Sequence, residues 1–285
     1  MRVPFRTSFP GRGQAWSAGA IGTSPCTGGG VSDPFQPAER LHRASLQCLD
    51  VFADTGYPFV FSTKGALVVE PEYLARIRAS RCVAQVSMVC SRYDQMETGA
   101  PTYEERLAMC EKLAKNALRV IARAQPYMPE VRDEILKNLP RLRNAGVYGI
   151  VFEGMKFADK RMGVVRVGTD YCYPREVLER DFRILRQACH ENGLRFFAGE
   201  NRLRTMGDSM CCCGIEGLEG FKGNDFNIVH LKAGEPVVPT EKMKERGTGG
   251  CFKTIGINTA NTRRAAMNSF FQEMMRRLKL GNVGV

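Results

Sequence analysis

From residue 38 to residue 198 the chain alternates stretches of helical period with short apolar runs, and few folds accept that pattern. Residues 38–54 place Leu41, Ala44, Cys48 and Phe52 on one helical face. An apolar strand at 58–63 follows, then a short helix at 71–79 and a strand at 82–89. Thr102, with Glu105 three positions on, is a capping box that opens a helix over 102–116. Strand 118–123 leads to a helix over 130–145 that stops at Gly146. Strand 147–153 leads to a helix over 174–192, with Leu178, Phe182, Leu185 and Cys189 in register, and then to strand 194–198. Helices between successive strands, joined by short connections, dictate parallel strands and right-handed crossovers. Five or six such units predict an α/β fold, a partial or full β/α barrel rather than a dinucleotide-binding sheet.

The barrel pattern fills residues 21–200. Residues 1–20, rich in Gly, Ser, Pro and Arg, predict a poorly ordered segment. Residues 201–285 predict an irregular Cys/Gly-rich extension ending in a helix over 262–279, with Ala266, Phe270, Met274 and Leu278 on one face. No apolar run approaches a membrane span, and the first 25 residues lack the apolar core of a signal peptide, so a cytoplasmic chain without a membrane partner is expected. The 41 basic residues exceed the 30 acidic ones, a formal charge of +11. That excess suits a polyanion, nucleic acid or a phosphorylated cofactor, or else serves solubility alone.

The predicted strands end in polar or charged residues: Lys64, Ser87, Arg123, Glu153 and Glu200. In a β/α barrel these ends line the active-site mouth. Ahead of them stands Gly28-Gly29-Gly30-Val31-Ser32-Asp33-Pro34-Phe35-Gln36-Pro37-Ala38-Glu39, a stretch that lets backbone come close to a ligand before a helix starts. It reads as a cofactor cradle, or as a tight turn that needs glycine for its backbone angles. Gln85 and Ser87 alternate along one strand and so point to one face. His42 and His190 show no ligand spacing and are expected at the surface.

Eleven cysteines, an odd number with no signal peptide, argue against a disulfide framework. Cys48, Cys110 and Cys189 fall on apolar helix stripes and are expected in the core. Cys211-Cys212-Cys213 lies instead in a loop bounded by Gly and Asp. Adjacent cysteines in extended backbone point to opposite sides, but a turn at Gly214 would converge two of them, with Cys251 or Cys172 as further ligands. The tract is therefore a candidate auxiliary iron–sulfur or zinc site, a candidate catalytic or redox-active thiol cluster, or a reduced and partly buried loop.

The glycine stretch, the Ser62-Thr63-Lys64 strand end, the Gln85/Ser87 strand, Arg123-Ala124-Gln125-Pro126-Tyr127-Met128-Pro129 and the late Cys-Cys-Cys-Gly tract, in that order over residues 20–215, resemble the radical S-adenosylmethionine superfamily. The branch they are most similar to is the one that includes spore photoproduct lyase. The resemblance implies a partial radical-enzyme barrel, S-adenosyl-L-methionine and a 4Fe–4S cluster as cofactors, lyase-type chemistry, and an electron donor such as a flavodoxin or ferredoxin. It implies that Gly28, Gly29 and Gly30 approach the methionine moiety and that Ser32 or Asp33 accepts from its ammonium. Lys64 would pair with the carboxylate, and Gln85 and Ser87 would reach the ribose hydroxyls. Arg123 and Glu153 would bind cofactor or substrate, or pair with each other. The bland counterparts are a solvated Lys64 and polar filling by Gln85 and Ser87.

The chain departs from that family in one respect. Three cysteines spaced C-x3-C-x2-C hold the family's cluster, and that spacing occurs nowhere in this sequence. A chain that begins late, cluster cysteines on a separate chain, and a relative that has lost radical chemistry each account for the gap, and the look of residues 1–20 favours the first. The rival functional readings are a barrel that binds nucleic acid or nucleotide through a basic face, and a domain stabilised by zinc at Cys211–Cys213 and Cys251.

Overall fold

Six parallel strands make the main sheet: β1 (Cys26–Gly28), β2 (Phe59–Thr63), β3 (Cys82–Ser87), β4 (Arg119–Tyr127), β5 (Gly149–Gly154) and β9 (Arg195–Ala198). Between β5 and β9 three short strands, β6 (Lys156–Phe157), β7 (Val165–Val167) and β8 (Asp170–Cys172), form a separate antiparallel sheet in the order β6-β8-β7. The helices are α1 (Glu39–His42), α2 (Ala44–Thr55), α3 (Pro71–Ala79), α4 (Tyr103–Ala114), α5 (Arg132–Asn144) and α6 (Arg175–Glu191). The structure, a computed structural model, describes residues 26–28, 33–56, 58–97, 99–168, 170–218 and 221. The segment 1–20, Gly29, Gly30, Ser32, Cys251 and the helix expected over 262–279 lie outside the described residues.

The main sheet runs β1-β2-β3-β4-β5-β9 without reversal. A doubly wound sheet reverses at a switch point and carries helices on both faces. Here every strand adds to the same edge, so the right-handed crossovers place the helices on one face. The core confirms it. Outward-facing Phe59, Phe61, Ala84, Val86, Val120, Ala122, Ile150, Phe152 and Phe196 pack with helix residues such as Ile77, Leu113, Leu139, Phe182 and Leu185. Each Val, Leu, Ile or Phe among them, fully buried, contributes about 1.5–3 kcal/mol of transfer free energy. Inward-facing Val60, Val83, Ile121, Val151 and Phe197 belong to a second cluster that contains no helix residue. The expected partial β/α barrel is what forms, with β2 buried along its whole length as strands covered on both faces are.

Residues 211–218 and Phe221 fill the inner cluster. Cys211, Cys213, Ile215 and Phe221 pack on the inward apolar residues. Arg119, at the start of β4, donates from NH1 to the carbonyls of Gly214 (2.8 Å) and Glu216 (2.7 Å). Its guanidinium also lies 4.0 Å from the Tyr148 ring centroid. The described part of the Cys/Gly-rich extension therefore closes the N-terminal half of the barrel's interior.

Two differences from the sequence reading have clear causes. The helix expected over 38–54 is two helices, broken at Arg43, which sits at φ 55°. The buried Glu39 carboxylate turns back and accepts from Ser45 N and Leu46 N, both at 2.9 Å, and from the Tyr73 hydroxyl at 3.0 Å. That side chain satisfies the open amides of α2 and replaces helix continuation through Arg43. The β6-β8-β7 sheet was not foreseen, because strands of two or three residues carry no readable period.

Candidate functional site

Alternation along each strand sorts the inner face into two levels. Val60, Val83, Ile121 and Val151 come first; Ser62, Gln85, Ser87, Arg123, Gln125 and Glu153 follow toward the strand C-termini. All of these but Ser87 form one connected row. The Ser62 hydroxyl on β2 donates to Gln85 Oε1 on β3 (2.7 Å) and accepts from Arg123 NH1 on β4 (2.7 Å). Arg123 Nε donates to Gln125 Oε1 (2.7 Å), and its NH2 group donates to the same oxygen. Gln125 Nε2 donates to Glu153 Oε2 on β5 (3.1 Å), and Lys156 Nζ donates to Glu153 Oε1 (2.5 Å). The Glu153 hydrogen bond raises the Lys156 ammonium above its ordinary pKa, outweighing the downward push of burial. Hydroxyl, amide, guanidinium and carboxylate groups thus stand in one line across four consecutive strands, with the Lys156 ammonium of β6 at its end, at the edge where β/α barrels bind ligands.

Arg123 and Glu153 do not touch; Gln125 joins them. Gln125 was overlooked in the sequence, although its position two residues after Arg123 puts both on one face. Ser87 is half-buried, pairs in register with Arg123, and its carbonyl accepts from Arg106 NH1 at 3.0 Å.

Asp33 is fully engaged. Oδ1 accepts from Phe35 N (2.9 Å) and Thr63 Oγ1 (2.7 Å), and Oδ2 from Lys64 N (2.6 Å) and Gly65 N (3.2 Å). A carboxylate has about four lone-pair sites, and here all are used. The turn is tight: a Cβ on Gly65 would stand 2.2 Å from the Phe35 carbonyl oxygen. Asp33 therefore clamps the entry loop to the end of β2 and fixes the backbone of Lys64. The Lys64 ammonium is not solvated alone; it pairs with Glu97 at 2.5 Å, and Glu97 also pairs with Arg106 NH2 at 2.6 Å. Neither Glu97 nor Arg106 was singled out from the sequence, since a loop acid and a helix cation carry no spacing signal. Gly28 is the last residue of β1 and pairs with Phe61.

The cysteines divide. Burial pushes the thiols of Cys82, Cys110 and Cys189 up to about 12, and that of Cys90 up to about 11, so they serve as small core residues. Cys211 and Cys213 are buried in the inner cluster, with Cys213 N donating to Cys211 Sγ at 3.3 Å, and Cys212 is half-buried. Cys172 lies in β8 and outside that cluster. Among the described residues no three His, Cys, Asp or Glu side chains come together as a metal site. His190, expected as a bystander, binds Asp208 through Nε2 at 2.8 Å. No helix among the described residues is long and apolar enough to cross a membrane.

No family model matches the sequence. No curated protein matches it either. Similar solved structures include a doubly substituted spore photoproduct lyase with bound AdoMet and dinucleoside spore photoproduct, at 17% identity and a TM-score of 0.48. Two singly substituted forms of the same enzyme are each 15% identical, with TM-scores of 0.46 and 0.47. Each alignment covers 60% of this chain and 59% of the other, so the chain spans less than two thirds of those proteins. The fold and the site described above stand on this chain's own strands and side chains.

Proposed function

We propose that this chain is the barrel of a radical S-adenosylmethionine-type enzyme and that the polar row from Ser62 to Lys156 holds the adenosyl cofactor. The row carries the reading: it offers donors and acceptors for ribose hydroxyls and an adenine edge at the strand C-termini, above an apolar floor that excludes water. Gln85 and Ser87 face the ribose, Arg123 and Glu153 the cofactor or substrate, and Lys64 the amino-acid carboxylate. The methionine moiety would approach the end of β1 at Gly28; Gly29, Gly30 and Ser32, which follow it in sequence, are proposed for the same role. With its oxygens saturated, Asp33 contributes by setting that backbone. The cofactor, if bound, would supply a sulfonium centre open to cleavage by one electron from an external donor.

The residues present do not fit the iron–sulfur cluster, since no C-x3-C-x2-C occurs and no described group could hold a metal. On this reading the cluster thiolates come from outside the sequence as given. The DNA preceding the Met1 codon checks that: an in-frame C-x3-C-x2-C supports it, and an in-frame stop before any such motif removes the late-start explanation.

A nucleic-acid substrate is supported by the formal charge of +11 and by the β6-β8-β7 sheet, which follows directly from the end of β5. That sheet and its turn carry exposed Lys160, Arg161 and Arg166, and Met162 is fully exposed. Calorimetric titration of the full chain with S-adenosylmethionine tests the cofactor reading. Saturable one-site binding is expected, and no heat at millimolar ligand would overturn it.

A further inference from the structure

Glu97 lies in the loop between β3 and α4, and its carboxylate spans two unlike cations. Lys64 is 38% exposed in its side chain and fixed at its backbone by Asp33; Arg106 is 3% exposed and pinned by the Ser87 carbonyl. The Lys64 contact is an aligned hydrogen bond. The Arg106 contact is an ion pair out of alignment: Glu97 Oε2 and the Arg106 Nε and NH2 groups are buried without a hydrogen-bond partner. A buried guanidinium with unused N–H groups is costly, and its fork is shaped to take a carboxylate with two bonds. Glu97 already stands 2.6 Å from Arg106 NH2, and the unused Nε and NH2 groups of that fork leave a two-bond pairing open once Lys64 is released.

We propose that Glu97 is an internal competitor for carboxylate ligands, holding Lys64 when the site is empty and yielding it, by withdrawing onto Arg106, when a ligand carboxylate arrives. This rests on the reading that the strand edge binds S-adenosylmethionine, whose amino-acid end carries one carboxylate. The exchange has a physical logic. The ligand trades one ion pair at Lys64 for another, so its net gain there is small while Glu97 stays charged nearby. Glu97 is held ionised: burial pushes its carboxyl up, but Lys64 and Arg106 together bring it below the ordinary carboxylate range. Glu97, not Lys64 alone, then sets how strongly a carboxylate-bearing ligand is preferred over the same ligand without it.

The test compares calorimetric affinities of the full chain for S-adenosylmethionine and for 5′-methylthioadenosine, which lacks the amino-acid end. Glu97→Gln keeps an oxygen for Arg106 and removes the competing charge. It is expected to tighten S-adenosylmethionine about tenfold while leaving 5′-methylthioadenosine unchanged, and Lys64→Met added to it is expected to erase the gain. Should Glu97→Gln fail to fold, Glu97→Asp shortens the reach to Lys64 while keeping a charge for Arg106, and the same direction is expected. Cofactor affinity that is unchanged, or weakened, or raised equally for both ligands overturns this proposal and leaves the cofactor reading standing. No binding of either ligand by wild type and variants overturns both.

Discussion

Asp33 shows how one side chain positions a site without facing a ligand. Three of its four donors, Thr63 Oγ1, Lys64 N and Gly65 N, tie the entry loop to the end of β2, and the fourth, Phe35 N, closes the loop on itself. Asp33→Asn keeps the shape but turns one acceptor oxygen into a donor that meets the amides of Lys64 and Gly65. A loss of about 1–3 kcal/mol in urea unfolding is expected. Ser62, Gln85, Arg123, Gln125 and Glu153 form a chain in which each group satisfies the next. Gln125→Leu should therefore weaken S-adenosylmethionine binding at least as much as Arg123→Lys, because it cuts the row in the middle. The strand-end positions of Lys64, Gln85, Ser87, Arg123 and Glu153 were legible in the sequence because alternation assigns a face to every second residue. Gln125 was equally legible and was passed over; Glu97 and Arg106 were not, since only the folded loop brings them to Lys64.

At the scale of elements, local signals decided where helices begin and tertiary contacts decided where they break. The capping box at Thr102 is present in full: Glu105 N donates to Thr102 Oγ1 at 3.3 Å, and Thr102 N to Glu105 Oε2 at 2.7 Å. Thr102→Ala is expected to cost about 1 kcal/mol. The break at Arg43 was not legible, because it depends on Glu39 meeting Tyr73 across the fold. A second tertiary clasp joins α6 to β9. Asp208, 4% exposed in its side chain, accepts from Phe196 N (2.9 Å), Arg186 Nε (3.1 Å) and His190. Burial pushes its carboxyl up, but these donors prevail and hold it below the ordinary value. A depressed folded-state pKa adds stability that is present above the unfolded value of about 3.9 and is lost as pH falls through the lower folded value. Thermal melting across that acid range should show wild type losing stability steeply. Asp208→Asn should start less stable at neutral pH and change less.

At the scale of the molecule, the barrel's interior is divided between a floor built by residues 211–218 and Phe221 and a polar row above it. The alternation of periods made the parallel, unreversed sheet legible; for the Cys211–Cys213 tract the sequence left a metal site, a reactive thiol cluster and a partly buried loop open, because three thiols serve a core as readily as a metal, and the structure buries Cys211 and Cys213 in the inner cluster. If the small β6-β8-β7 sheet meets a nucleic acid, affinity for a single-stranded oligonucleotide should fall linearly in a log–log plot against salt. Arg161→Ala should lower that slope by about one. A slope unchanged by the substitution would remove this sheet from the interface. The central claim is that the cofactor lies on the polar row at the strand C-termini. Hydrogen–deuterium exchange of the full chain with and without S-adenosylmethionine tests it most directly. Slowed exchange at peptides spanning 62–65, 85–88, 123–125 and 153–156 is the predicted result, with changes besides these only at 28–33 and 97–106; protection confined to other segments, or none at saturating ligand, would contradict it.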